Sequence, residues 1–257
     1  MLRLLLVVAL LGLMALILLD RVSGCGRSET VAEPSGAMAL EPGDRSSPQP
    51  GTTRLRGLDS VARLSARLQL TSEAHRHYLD SLVQTTDSVV RHWPVVDAPI
   101  WFTLVGGGTP DFRPELLVEV RAALDAWSPL ALGLRLLETA DTAQATLLVE
   151  WTSSLQDRAG VTNVTWDRSG DILRARVTLA TRDPVSGEPL SEHARRAIAL
   201  HEIGHALGLP HSAEPADAMH PVTVVEQPTD RDLSSIRLLY SLPTGWIGVG
   251  PRPGRSP

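Results

Sequence analysis

Lysine is missing altogether. All 24 basic side chains are arginine, and against 29 acidic ones they leave a formal net charge of −5. Without lysine there is no Gly-Lys-Ser/Thr phosphate loop, so Gly106-Gly107-Gly108 reads as loop glycine. The arginines are scattered, and with neither a basic surplus nor a basic block a nucleic-acid footprint is not expected. Cysteine is reduced to Cys25, which excludes an internal disulfide framework and a cysteine zinc cluster. No G-x-S-x-G nucleophile elbow occurs either. Long apolar runs are confined to one place, Leu4 to Leu19, which rules out a polytopic membrane protein. What remains is 43% hydrophobic and 21% charged, the proportions of a folded globular chain.

That apolar run makes residues 1–24 a targeting segment. Arg3 precedes it, and Asp20, Arg21 and then Val22-Ser23-Gly24-Cys25 follow. A positive residue, an apolar stretch and small residues before a cut is the pattern of a secretory signal. The tetrapeptide resembles a bacterial lipobox, in which Cys25 is lipidated and becomes the mature N-terminus. Several acyl chains at Cys25 give stable membrane anchoring. An uncleaved anchor and simple cleavage are the alternatives, since the run is slightly under a full span. Each of the three places the rest of the chain outside the cytoplasm, in the cell envelope or secreted. Since Cys25 belongs to the export segment, it is no candidate nucleophile.

Residues 25–52, rich in Ser, Gly, Pro and Glu, read as a disordered spacer. From Thr53 the composition changes. Leu58, Val61, Leu64 and Leu68 fall at helical spacing, and so do Tyr78, Leu79, Leu82, Val89 and Val90. Two helices are expected, over 54–70 and 72–92, with Pro94 ending the second. This helical segment, 53–92, is a packing hairpin or stalk or else a removable pro-segment.

The main folded domain is expected over 93–243, with a flexible tail at 244–257. Pro99 to Val105 reads as a bulky strand, 112–127 as an amphipathic helix, and 134–137 and 145–151 as further strands. Residues 161–166 and 174–180 read as a strand pair, joined by turn-forming Asp167-Arg-Ser-Gly-Asp171. Trp151 and Trp166 are expected in the core and His193 on the surface. The element order is that of an α+β fold.

The chemistry is concentrated in His201-Glu202-Ile203-Gly204-His205-Ala206-Leu207-Gly208-Leu209-Pro210-His211, which fits H-E-x-x-H-x-x-G-x-x-H. A helix puts His201 and His205 on one face, where both imidazoles can share a metal. Glu202 lies about 100° around the helix from His201, bordering the metal without having to bind it. Gly208 can adopt positive φ and Pro210 cannot continue the helix, so the chain turns back and presents His211 as the third ligand. Three neutral imidazoles suit one Zn2+ and leave a fourth position for water. The metal lowers the water's pKa, and Glu202 takes its proton and passes it to the leaving amine. A purely structural zinc would show a fourth protein ligand and no acid beside the first histidine.

With these residues in view, the sequence resembles the metzincin zinc peptidases, and among them the matrixins of the M10 type. After the three-histidine motif that family carries a methionine turn beneath the metal, and here Asp217-Ala-Met219-His220-Pro221 follows His211 at a similar distance. His220 stands where the family usually has tyrosine. The resemblance runs from about Trp93 to Leu242 and is strongest over 195–221. It implies a twisted mixed sheet above the active-site helix, a last helix near Asp230 to Tyr240, and an edge strand that binds extended peptide by strand addition. Either 160–166 or 174–180 would be that edge. Animal matrixins also hold a second zinc in a His/Asp-rich loop, for which no counterpart is evident, and a cysteine latency device, for which only Cys25 is available. His220 is a candidate for touching substrate, with turn packing as the alternative. Val224 would help line an apolar pocket bounded by Pro221 to Val225.

The expected activity is that of a membrane-tethered zinc endopeptidase (EC 3.4.24 type) acting on protein or peptide. The alternatives are a non-catalytic envelope adaptor with a structural zinc, and a zinc amidase acting on cell-wall peptide.

Overall fold

The computed structural model describes residues 50–72, 75–84, 88–96 and 98–249, with side chains from Ser60 onward apart from Leu130. The targeting segment with Cys25, most of the spacer and the last residues of the tail lie outside the described residues.

The scaffold is a five-stranded mixed sheet. Its strands are β2 (Ile100–Val105), β3 (Leu136–Glu138), β4 (Leu147–Thr152), β5 (Gly160–Trp166) and β6 (Ile172–Ala180), placed in the order β3-β2-β4-β6-β5. The first four in that order run parallel, and β5 returns antiparallel to β6 to form the outer edge. The turn at 167–171 makes that hairpin: Asp167 Oδ1 accepts from the amides of Ser169 and Asp171, and Gly170 takes φ +95°. In β4, Leu147, Val149 and Trp151 are buried, while Leu148, Glu150 and Thr152 alternate toward the more open face. On that face Glu150 pairs with Arg176 across the strands at 2.8 Å.

Two helices cover the inner face, α3 (Glu115–Ala126) and α4 (Glu192–Ala206). They pack on each other, and α4 also packs on β5 and β6. Trp127, fully buried just past α3, fixes the pair by donating its indole N–H to Leu200 O at 3.0 Å. A second indole does the same at the far end of α4, from Trp93 to Ala206 O at 2.9 Å. α5 (Asp230–Ser241) closes the fold, started by a capping box between Thr229 and Asp232.

The segments before and after the core depart from expectation in three ways. α1 (Pro50–Thr71) forms, but among its described side chains the buried ones are Ala66 and Leu70. Val61, Leu64 and Leu68 instead remain 66%, 60% and 61% exposed, so the apolar stripe of the sequence is not the face that packs. The helix expected over 72–92 does not form. In its place stand a single turn, α2 (Ser81–Gln84), and a short strand, β1 (Val89–Val90), separated by positive φ at Ser88. Finally, the expected tail begins with structure, because β7 (Gly245–Trp246) pairs antiparallel with β1. Tyr78, Val89 and Val90 each meet a distant partner. Tyr78 donates to Asp232 Oδ1 at 3.0 Å, and Val90 pairs with Gly245. Trp151 is buried as expected, whereas Trp166 is 44% exposed, with the Arg91 guanidinium 4.0 Å above its ring.

Candidate active site

The helix that carries the histidines begins at Ser191, whose hydroxyl caps it by accepting from Ala194 N at 3.2 Å. It ends where Gly208 takes φ +102°. The Gly208 and Leu209 amides turn back onto His205 O and Gly204 O at 2.9 and 3.0 Å. Only glycine fits here, because a Cβ at 208 would meet Arg91 O. The reversal carries the chain past Pro210 and brings His211 opposite His201 and His205.

One ligating nitrogen from each of His201, His205 and His211 lies within 4.8 Å of the others. His201 Nδ1 meets Ala218 O, and His205 Nδ1 meets Leu209 O, both at 2.8 Å. A carbonyl can only accept, so both Nδ1 atoms carry the hydrogen and both Nε2 atoms present lone pairs. His205 Nε2 stands 3.1 Å from His211 Nε2. A cation between such nitrogens turns their crowding into coordination, and three imidazoles with fixed tautomers suit Zn2+. Burial, reinforced by the neighbouring rings, pushes His201 down to about 4 and His205 to about 3, and burial also lowers His211. At neutral pH the rings are therefore uncharged, the state that binds metal.

The second support of the cluster comes from the methionine turn. Met219 is fully buried beneath α4 against Gly204, where a Cβ would collide with its sulfur and approach Trp127 within 2.9 Å. Ala218 is held on both sides: its N–H donates to Asp232 Oδ2 at 2.8 Å, and its carbonyl receives His201. Asp217 accepts from Ser212, Thr229 and Arg231. The amide of Ser212, next to the third histidine, reaches Met219 O at 2.8 Å. α5 thus fixes the turn, and the turn orients a ligand.

Glu202 is buried between α4 and the edge strand, and burial raises its carboxyl to about 7 against the opposing pull of Thr162 and Arg158. Thr162 Oγ1 lies 2.6 Å from Oε2. Gly160, two residues earlier on the same face of β5, leaves the space Glu202 occupies: a Cβ there would stand 2.6 Å from both Cγ and Oε1.

The remaining candidates are placed less centrally. His220 is half-buried and accepts from Val222 N at 3.2 Å within the turn. Val224 is 62% exposed. His193 is exposed and contacts Glu226. The sequence alone did not mark Thr162, Gly160, Gly204, Ala218 or Asp232. Of these, only the Thr229-x-x-Asp232 spacing carries a local signal, that of a capping box.

Comparison with known families gives one match: the model of the Matrixin family, Peptidase_M10, covers residues 108–241. No curated protein matches the chain. The match takes in the sheet from beyond β2, all three histidines, Glu202, the methionine turn and all of α5.

Proposed function

This chain belongs to the matrixin family of zinc metallopeptidases, and on that footing we propose that it is a membrane-tethered endopeptidase outside the cytoplasm, with one catalytic zinc and Glu202 as general base. The observation that carries the reading is the convergence of His201, His205 and His211 beside Glu202, whose buried carboxylate lies against the outermost strand of the sheet. When bound, zinc supplies Lewis acidity to the scissile carbonyl and to the attacking water.

The protein's own groups do the rest. β5 offers its outer edge to an extended peptide, whose backbone adds as a further strand. The Nδ1 hydrogen bonds from His201 and His205 keep both rings aimed at the metal position. Glu202 takes a proton from the water and returns it to the leaving amine, a role suited to a carboxyl whose affinity for protons is raised toward neutrality. Among the described residues, His201, His205 and His211 gather as a group that could hold a metal ion. The exposed Val222 and Val224 beyond the methionine turn fit an apolar side chain after the cut.

The test is digestion of a peptide library by the zinc-loaded full-length chain, with products read by mass spectrometry. Internal cleavage that stops on chelation and returns with zinc is expected. Release of single terminal residues, or cleavage only of cell-wall peptide amides, contradicts the endopeptidase assignment.

Tethering rests on the lipobox-like Val22-Ser23-Gly24-Cys25 after the apolar run. No helix among the described residues is long and apolar enough to cross a membrane. Cys25→Ser should leave the precursor at its unprocessed mass. A wild-type protein that retains Met1 to Gly24 in the membrane fraction identifies an uncleaved anchor instead.

A further inference from the structure

Thr162 connects the edge strand to the general base. Side chains alternate along a strand, so Gly160 and Thr162 face the same way, toward α4. Each acts on Glu202: Gly160 by having no Cβ where the carboxylate lies, Thr162 through its hydroxyl. That hydroxyl lies 2.6 Å from Glu202 Oε2 and 3.0 Å from the Glu202 backbone carbonyl, so one side chain touches both ends of the residue. A hydroxyl has a single hydrogen to donate. An ionised carboxylate is the stronger acceptor, and the short separation to Oε2 is that of a charge-assisted hydrogen bond.

We propose that Thr162 is a positioning residue that holds Glu202 Oε2 against the edge strand and so leaves Oε1 as the oxygen that handles the proton. The inference rests on the reading of Glu202 as general base. A glutamate has three side-chain torsions, and burial alone does not choose which oxygen faces the reacting water. The hydrogen bond makes that choice, and Gly160 provides the space in which it is made. The same strand is the one proposed to pair with the peptide, so substrate and base share a rigid reference.

The experiment compares full-length wild type with Thr162→Val and Thr162→Ser, each zinc-loaded, on a peptide the wild type cleaves. Valine keeps the branched shape that strands favour and removes only the hydroxyl. The expected result is a kcat lower by about 10- to 100-fold in Thr162→Val, with KM within about threefold of wild type and zinc content unchanged. Serine, which restores the hydroxyl, should recover most of the kcat. An undiminished kcat in Thr162→Val overturns the proposal, and so does a change confined to KM, which would make Thr162 a substrate contact. Zinc loss in the valine variant, or a serine variant as slow as valine, overturns it too, because the role would then be structural. A wild type that binds zinc and cleaves no peptide overturns the peptidase reading itself, and this inference with it.

Discussion

His77 and His92 in the segment before the core are as deeply buried as His201 on α4, at 4%, 6% and 7% exposure. Their surroundings differ. His77 accepts from Leu79 N at Nδ1 and turns Nε2 to Ser72 O. His92 sets its two ring nitrogens against Trp93 O and Leu242 O, and its ring lies 4.8 Å from that of Tyr240. Backbone thus occupies both nitrogens, and the rings act as braces between distant stretches of chain. His201 and His205 commit only Nδ1 to backbone, and across from Nε2 each finds another imidazole. What separates a bracing histidine from a ligating one is the partner of the second nitrogen, and burial does not report it.

The sharpest way to break this distinction is a pair of variants. His205→Ala should lose bound zinc and all peptide cleavage, because two remaining imidazoles do not hold the ion in place. His92→Ala should keep zinc while losing about 2–4 kcal/mol of stability, the cost of removing a buried, hydrogen-bonded ring. Metal analysis and thermal unfolding of both variants check this. Zinc retained in His205→Ala, or lost from a still-folded His92→Ala, would erase the difference between the two regions. The smallest effect is expected at Met219, whose side chain supports the cluster through packing. Met219→Leu nearly conserves volume and should cost less than about 1.5 kcal/mol with zinc still bound, measured by the same two methods.

The same contrast governs what the sequence discloses. The ligand helix is legible because its information is local: the spacing of His201 and His205 is set by helix geometry, and Gly208 marks the reversal that delivers His211. The strands around Phe102, Val149 and Val177 are legible from their bulk, and the matrixin match agrees with the motif and the methionine turn. The stretch 72–92 misleads because Tyr78, Val89 and Val90 fall at helical intervals while their partners lie more than a hundred residues away. Periodicity measures spacing and carries nothing about Asp232 or Gly245. The stripe Val61, Leu64 and Leu68 misleads for a related reason: its period is right, yet the core packs on Ala66 and Leu70. At the site, Thr162 and Gly160 stay hidden until strand register places them over Glu202. Gly204 occupies a free position of the motif, and its role emerges only when Met219 is seen against it.

The central claim is that three imidazoles hold the metal and Glu202 moves the proton. Glu202→Gln tests it most directly, with turnover and zinc content measured on one preparation of the full-length chain. Glutamine preserves size and hydrogen bonding, including an acceptor oxygen for Thr162, but cannot serve as a base. Cleavage should fall by at least about 10²- to 10⁴-fold with zinc unchanged. Cleavage near the wild-type rate would mean that another group is the base, and loss of zinc together with activity would make Glu202 part of the metal site.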